Sequence, residues 1–179
     1  MKKIIYSPGE PSGIGPDLII KLSSSKLWED LKIPIVSIGD PKLFIDRAAL
    51  LKKKIKIVEL ESLNELSKNT KGLIQIIKVT KCTNTRPGKL YKSNAKYALN
   101  NLTYSIEQTM QNEGTALVTG PLSKENIISI DKLFTGHTEY IKKITKSNDV
   151  LMMLASDQLR VALATVSYTH LTLPTSDLV

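Results

Sequence analysis

Short apolar runs alternate with segments of helical spacing along most of this chain, and that alternation restricts it to a few layered folds. Residues Ile4 to Ser7 read as a first strand. A Gly/Pro loop follows, then a helix from about Pro16 to Leu27, with Pro16 suited to a first helical position and Asp17 to the positive end of the helix dipole. Ile33 to Ile38 reads as a second strand ended by Gly39-Asp40, and Pro41 opens a helix carrying Leu43, Phe44 and Leu50. Lys54 to Leu60 and Leu73 to Val79 are further strands, and Thr83 to Gly88 is loop. From Asn94 to Asn112 the apolar set Ala95, Ala98, Leu99, Leu102, Ile106 and Met110 keeps helical spacing. Ala116-Leu117-Val118 reads as a short buried strand running into Thr119-Gly120-Pro121. Leu122 to Ile130 and Thr138 to Lys146 read as helices, and Val150 to Ala155 and Leu159 to Val166 as strands joined at Ser156-Asp157-Gln158. The expectation is an α/β sandwich with a largely parallel sheet, without repeats or an internal linker.

A chain of 179 residues holds one domain with a real core. With 41% hydrophobic and 23% charged residues it is globular rather than disordered. No apolar run is long enough to cross a bilayer, and the one at the N-terminus stops at Ser7-Pro8-Gly9, too short for a signal peptide. A cytoplasmic protein without a membrane partner is expected. The single Cys82 allows neither an internal disulfide nor a zinc site, and reads as a quiet thiol at a loop or strand end. A net charge of +8 raises nucleic acid as a partner, yet the lysines are scattered among acidic residues and no aromatic stacking motif accompanies them. A solvated basic surface with some attraction for anionic metabolites is the better reading.

Four segments carry chemistry. Ser7-Pro8-Gly9-Glu10-Pro11-Ser12-Gly13-Ile14-Gly15-Pro16-Asp17 lies between a strand and a helix, where glycines allow close backbone approach and a helix N-terminus offers free N–H groups. It is neither standard phosphate loop: it lacks the Gly-Lys-Ser/Thr of one, and Leu18 stands where the other needs a third glycine. Thr119-Gly120-Pro121-Leu122-Ser123-Lys124 sits at the carboxyl end of a strand, where open α/β sheets bind ligands. There Ser123 suits a helix cap and Lys124 is a candidate anion-binding residue, roles that do not exclude each other. In Phe134-Thr135-Gly136-His137-Thr138-Glu139 an imidazole and a hydroxyl stand at the mouth of a helix, both able to donate and accept hydrogen bonds to a polar substrate. In the last pair of strands Met152 and Met153 read as core filler, and Arg160 as a surface residue or a carboxylate partner.

Taken together and in order, these segments resemble the PdxA family: Pro8 to Asp17, Thr119-Gly120-Pro121 with Lys124, Phe134 to Glu139, Met152-Met153-Leu154-Ala155, and Leu159 to Thr165. The resemblance covers Met1 to about Thr165, roughly the first half of a family member. It implies a fold like isocitrate and isopropylmalate dehydrogenases and a homodimer with active sites at the subunit interface. It also implies NAD- or NADP-dependent oxidation of 4-hydroxy-L-threonine 4-phosphate, followed by loss of carbon dioxide, in pyridoxine phosphate synthesis. A divalent metal (Zn, Mg or Co) held by three histidines would polarise the hydroxyl. By motif match His137 and Thr138 contact substrate, whereas no catalytic residue is assigned. The position of the family's first metal histidine is Ser167, with His170 three residues further on, so no metal ligand is expected in this chain. Residues 1–166 are therefore expected to be the family-like part. The tail 167–179 resembles translated sequencing-adapter DNA and is expected to be non-native. Such a chain is expected to be inactive alone. A paralogue acting on another phosphorylated four-carbon hydroxy acid, and a non-catalytic phosphometabolite-binding module, are the alternatives.

Overall fold

The computed structural model describes residues 2–163, which fall into two units, one ending at Thr135 and the other beginning at Gly136. In the first unit, β1 (Lys3–Ser7), β2 (Ile35–Ile38), β3 (Lys56–Glu59), β4 (Leu73–Ile77) and β5 (Thr115–Thr119) form one sheet. The order is β3-β4-β2-β1-β5 and every pairing is parallel. The strands are rich in Ile and Val, and β2 and β4 lie between neighbours with almost every residue buried, as parallel strands covered on both faces require.

Because side chains alternate along a strand, the sheet feeds two cores. Tyr6, Ile35, Ile74 and Ile76 pack with Ile19 and Ile20 of α1 (Gly15–Ser23), Trp28 of α2 (Lys26–Asp30), and Leu43 and Phe44 of α3 (Pro41–Leu50). Ile5, Val36, Ile38 and Ile77 pack on the other side, with Tyr104 of α4 (Ala95–Gln111) and Leu117 against them. A short α5 (Lys124–Ile128) follows β5. The helix expected from Pro16 to Leu27 is two helices. The Ser23 and Ser24 hydroxyls both donate to the Ile20 carbonyl, and Ser25 donates to Leu22, so three consecutive serines compete with the backbone ladder where α1 stops.

The strand at Ala116-Leu117-Val118 exists but is not buried as expected: Ala116, Val118 and Thr119 are exposed. Among the described residues it is the last strand of its sheet and has a neighbour on one side only. An apolar triplet does not reveal whether a second neighbour exists.

The second unit contains α6 (His137–Thr145) and an antiparallel hairpin of β6 (Met152–Ala155) and β7 (Arg160–Leu163). The hairpin turn is closed by Ser156, whose N–H donates to the Leu159 carbonyl and whose hydroxyl accepts from the Gln158 and Leu159 amides. Met152 and Met153, expected as core filler, are 40% and 52% exposed. A two-stranded ribbon has no core of its own, and only Leu163 in it is even half-buried. The expected continuation to Val166, and the tail with Ser167 and His170, lie outside the described residues. Among those described, no helix is long and apolar enough to cross a membrane.

Candidate functional site

Progress through the sheet reverses at β1. The chain runs from β1 to β2 and on to β3 and β4 on one side, then crosses through α4 to place β5 on the other. In open α/β folds ligands bind beyond the carboxyl ends of the strands at such a reversal. Here the loops after β1 and β5 meet backbone to backbone. The Gly120 amide donates to the Ser7 carbonyl at 2.7 Å, and the Glu10 amide to the Pro121 carbonyl at 2.9 Å. A Cβ at Gly9 would lie 2.2 Å from the Pro121 oxygen, one at Gly120 2.3 Å and one at Gly15 1.8 Å from the Pro8 oxygen. Gly9 also has a φ of +81°. These glycines serve chain-to-chain approach, and most of the loop is buried.

Buried polar groups hold the surroundings. Glu10 accepts from the Ser12 amide and from Asn126 Nδ2, each at 3.1 Å, and Asn126 also donates to the Tyr91 carbonyl, which ties α5 to the loop. Arg47 of α3 is almost wholly buried, and its guanidinium donates to the Asp17 carboxylate and the Gly13 carbonyl. Asp40 caps α3 by accepting from the Lys42 amide, accepts from the Cys82 amide at 2.8 Å, and donates its own amide to the Tyr97 hydroxyl. Asp40 borders a cleft of about 590 Å³ that Lys42, Asp46, Cys82, Thr83 and Thr85 also line. Burial, then the Asp40 and Glu10 carboxylates, push the Cys82 thiol up to about 12, so it is protonated and unreactive near neutral pH. Burial likewise raises the Tyr6 phenol to about 12, and its hydroxyl donates to the Gly15 carbonyl. Of these residues, Asp40 had a local signal, an acidic residue directly before the Pro41 that opens a helix. Arg47, Glu10 and Asn126 had none, because their partners are remote in sequence.

Ser123 accepts from the Asn126 amide at 3.2 Å and so caps α5, the expected structural role. Lys124 is the exposed first residue of that helix. His137 and Thr138, half-buried, form the first turn of α6 in the second unit, with Gly136 at its N-cap and Glu139 beside them. Lys124 and the His137-Thr138 pair thus belong to different units. Among the described residues no group of three or more His, Cys, Asp or Glu is arranged to hold a metal ion. Nor does the loop after β1 supply a dinucleotide cradle, its glycine positions being filled by the chain itself.

The parallel sheet, the reversal between β1 and β5 and the helices on both faces define an open, doubly wound α/β protein. Residues 30–175 match the family described as pyridoxal phosphate biosynthetic protein PdxA. The chain belongs to that family. It is 34% identical over 173 residues to a 4-hydroxythreonine-4-phosphate dehydrogenase from Citrobacter koseri, covering 97% of this chain and 50% of the relative. It is 36% identical to the enzyme of the same description from Yersinia pseudotuberculosis, with 96% and 50% covered. The crystal structure of 4-hydroxythreonine-4-phosphate dehydrogenase from Klebsiella pneumoniae superimposes with a TM-score of 0.80 at 25% identity, covering 90% of this chain and 49% of that one. The chain spans about half the length of the relatives it matches.

Proposed function

We propose that this chain is part of a dehydrogenase that oxidises 4-hydroxy-L-threonine 4-phosphate with NAD or NADP in vitamin B6 synthesis, in the cytoplasm. The complete enzyme has an isocitrate dehydrogenase-like sandwich and works as a homodimer. Membership of the PdxA family, carried locally by Phe134 to Glu139 at the mouth of α6, is the observation that supports this reading. In it, the His137 imidazole and the Thr138 hydroxyl, fixed by the first turn of a helix, hydrogen-bond the polar substrate. Lys124 offers its ammonium to an anionic group. A divalent metal (Zn, Mg or Co) would acidify the hydroxyl being oxidised, and its ligands lie outside the described residues.

The chain alone is inactive in this reading. Fusing residues 1–163 to the half of the Citrobacter koseri enzyme that it does not match restores NAD- or NADP-dependent oxidation of the phosphorylated substrate. His137→Ala in that fusion raises KM or lowers kcat/KM at least tenfold, roughly the loss of one charged or buried hydrogen bond. A folded fusion inert towards this substrate, or an unaltered His137→Ala variant, would overturn the reading.

A further inference from the structure

We propose that the groove at the amino ends of β3 and β4 is a binding site for an anion made of linked phosphate groups. Open α/β sheets bind their substrates at the carboxyl ends of the strands, and this groove lies at the opposite end of the sheet. It measures about 430 Å³, and Lys54, Lys56 and Lys71 line it with Ile55 and Leu73 between them. No acidic, arginine or aromatic residue is among those that line it. Lys52 and Lys53, also exposed, directly precede it in the chain. None of these five lysines forms an ion pair with a described residue. The +8 charge of the chain is thus left uncompensated at one corner of the first unit.

Two loops bring the lysines together. At the end of α3 the Leu51 amide donates to Arg47 and the Lys53 amide to Ala48, with Lys52 between them at a φ of +53°, and the chain then passes through Lys54 into β3. The turn from Thr70 to Leu73 is closed by the Leu73 amide on the Thr70 carbonyl and anchored by the Gly72 amide on Ser23 at 2.7 Å. The Lys56 amide donates to the Gly72 carbonyl, and parallel register sets Lys56 beside Leu73. Two ordinary roles account for part of this charge. Lys52 and Lys53 complement the negative end of α3, and Lys56 guards the edge of the described sheet against pairing. Neither role covers Lys54 and Lys71, which stand in the loops and face the same groove. A cleft lined by one sign of charge concentrates counter-ions. An ammonium is a point charge with three donors and serves phosphate oxygens well, whereas a planar carboxylate is matched best by the fork of an arginine. The groove has room for several tetrahedral groups and no aromatic platform for bases, so a short phosphate chain fits it better than a nucleic-acid strand.

The test titrates the full 179-residue chain with tripolyphosphate, ATP and orthophosphate by calorimetry, at about 0.15 M salt, where exposed charges more than roughly 8 Å apart are screened. One-to-one binding of tripolyphosphate is expected, with orthophosphate weaker by at least about tenfold, the loss of one hydrogen bond between charged groups. Amide NMR shifts should centre on Lys54, Ile55, Lys71 and Gly72. The double variant Lys54→Gln, Lys71→Gln weakens binding at least about tenfold with circular dichroism unaltered. Lys92→Gln with Lys96→Gln, which removes the same charge from two other exposed positions of the first unit, does not. ATP binding as tightly as tripolyphosphate supports a nucleotide as the source of the phosphate chain, and tighter tripolyphosphate supports an inorganic chain. Such binding needs no dehydrogenase activity, so either reading can fail alone. No binding, equal losses in the two double variants, shifts centred on other amides, or tighter binding of a short single-stranded oligonucleotide than of either phosphate chain would overturn the proposal.

Discussion

At Gly120 and Gly88 the same substitution meets two different obstacles. A methyl group on Gly120 would stand 2.3 Å from the Pro8 carbonyl oxygen, a backbone atom that cannot swing aside. On Gly88 it would meet nothing within 4 Å, and only the positive φ of +75° resists it. Gly120→Ala must therefore separate the β1 and β5 loops, whereas Gly88→Ala meets only the local strain of a left-handed backbone. The expected cost is about 2–3 kcal/mol or more for Gly120→Ala and about 1 kcal/mol for Gly88→Ala. Urea denaturation of the two variants measures the difference, and equal costs would mean that the loops are not in close contact. The glycines of the first loop invited a ligand-binding reading because spacing shows that backbone comes close to something. It does not show that the something is the chain's own carbonyls.

Between elements, the most consequential tie is Arg47 of α3 to Asp17 and the Gly13 carbonyl at the start of α1. The guanidinium is almost wholly buried and the aspartate partly so, which makes removal of one partner costly. Arg47→Met is expected to destabilise by about 3 kcal/mol, and Asp17→Asn by less, with the double variant about 1 kcal/mol or more better than the sum. Strict additivity in a double-mutant cycle would show the pair to be uncoupled. Thirty positions separate the partners, so no local pattern announces them. By contrast α4 was legible, its apolar stripe running nearly unbroken from Ala95 to Ile106. So was α3, opened by Asp40-Pro41. What the sequence concealed was tertiary: the serine-driven break between α1 and α2, the exposure of β5, and the exposure of Met152 and Met153. The start of α6 at His137 was legible because the hexapeptide Phe134 to Glu139 is a local signal. The network around Glu10 was not, since Asn126 lies at a separation of 116 residues.

Taken whole, the molecule distributes its stability unevenly. In the first unit two cores sandwich a five-stranded sheet. In the second, α6 has no buried residue, and β6 and β7 expose Met152, Met153, Leu154 and Val161. Apolar burial is the main favourable contribution to folding, so the free energy of local opening should be near the global value in the sheet and small in residues 136–163. Cleavage of transiently opened chain then follows that difference. Limited proteolysis is expected to cut first in residues 136–163, within the family-like part of the chain. It should leave a resistant core ending near Thr135 that keeps its circular dichroism. Equal resistance of the two units would mean that the hairpin is stabilised by something other than apolar burial.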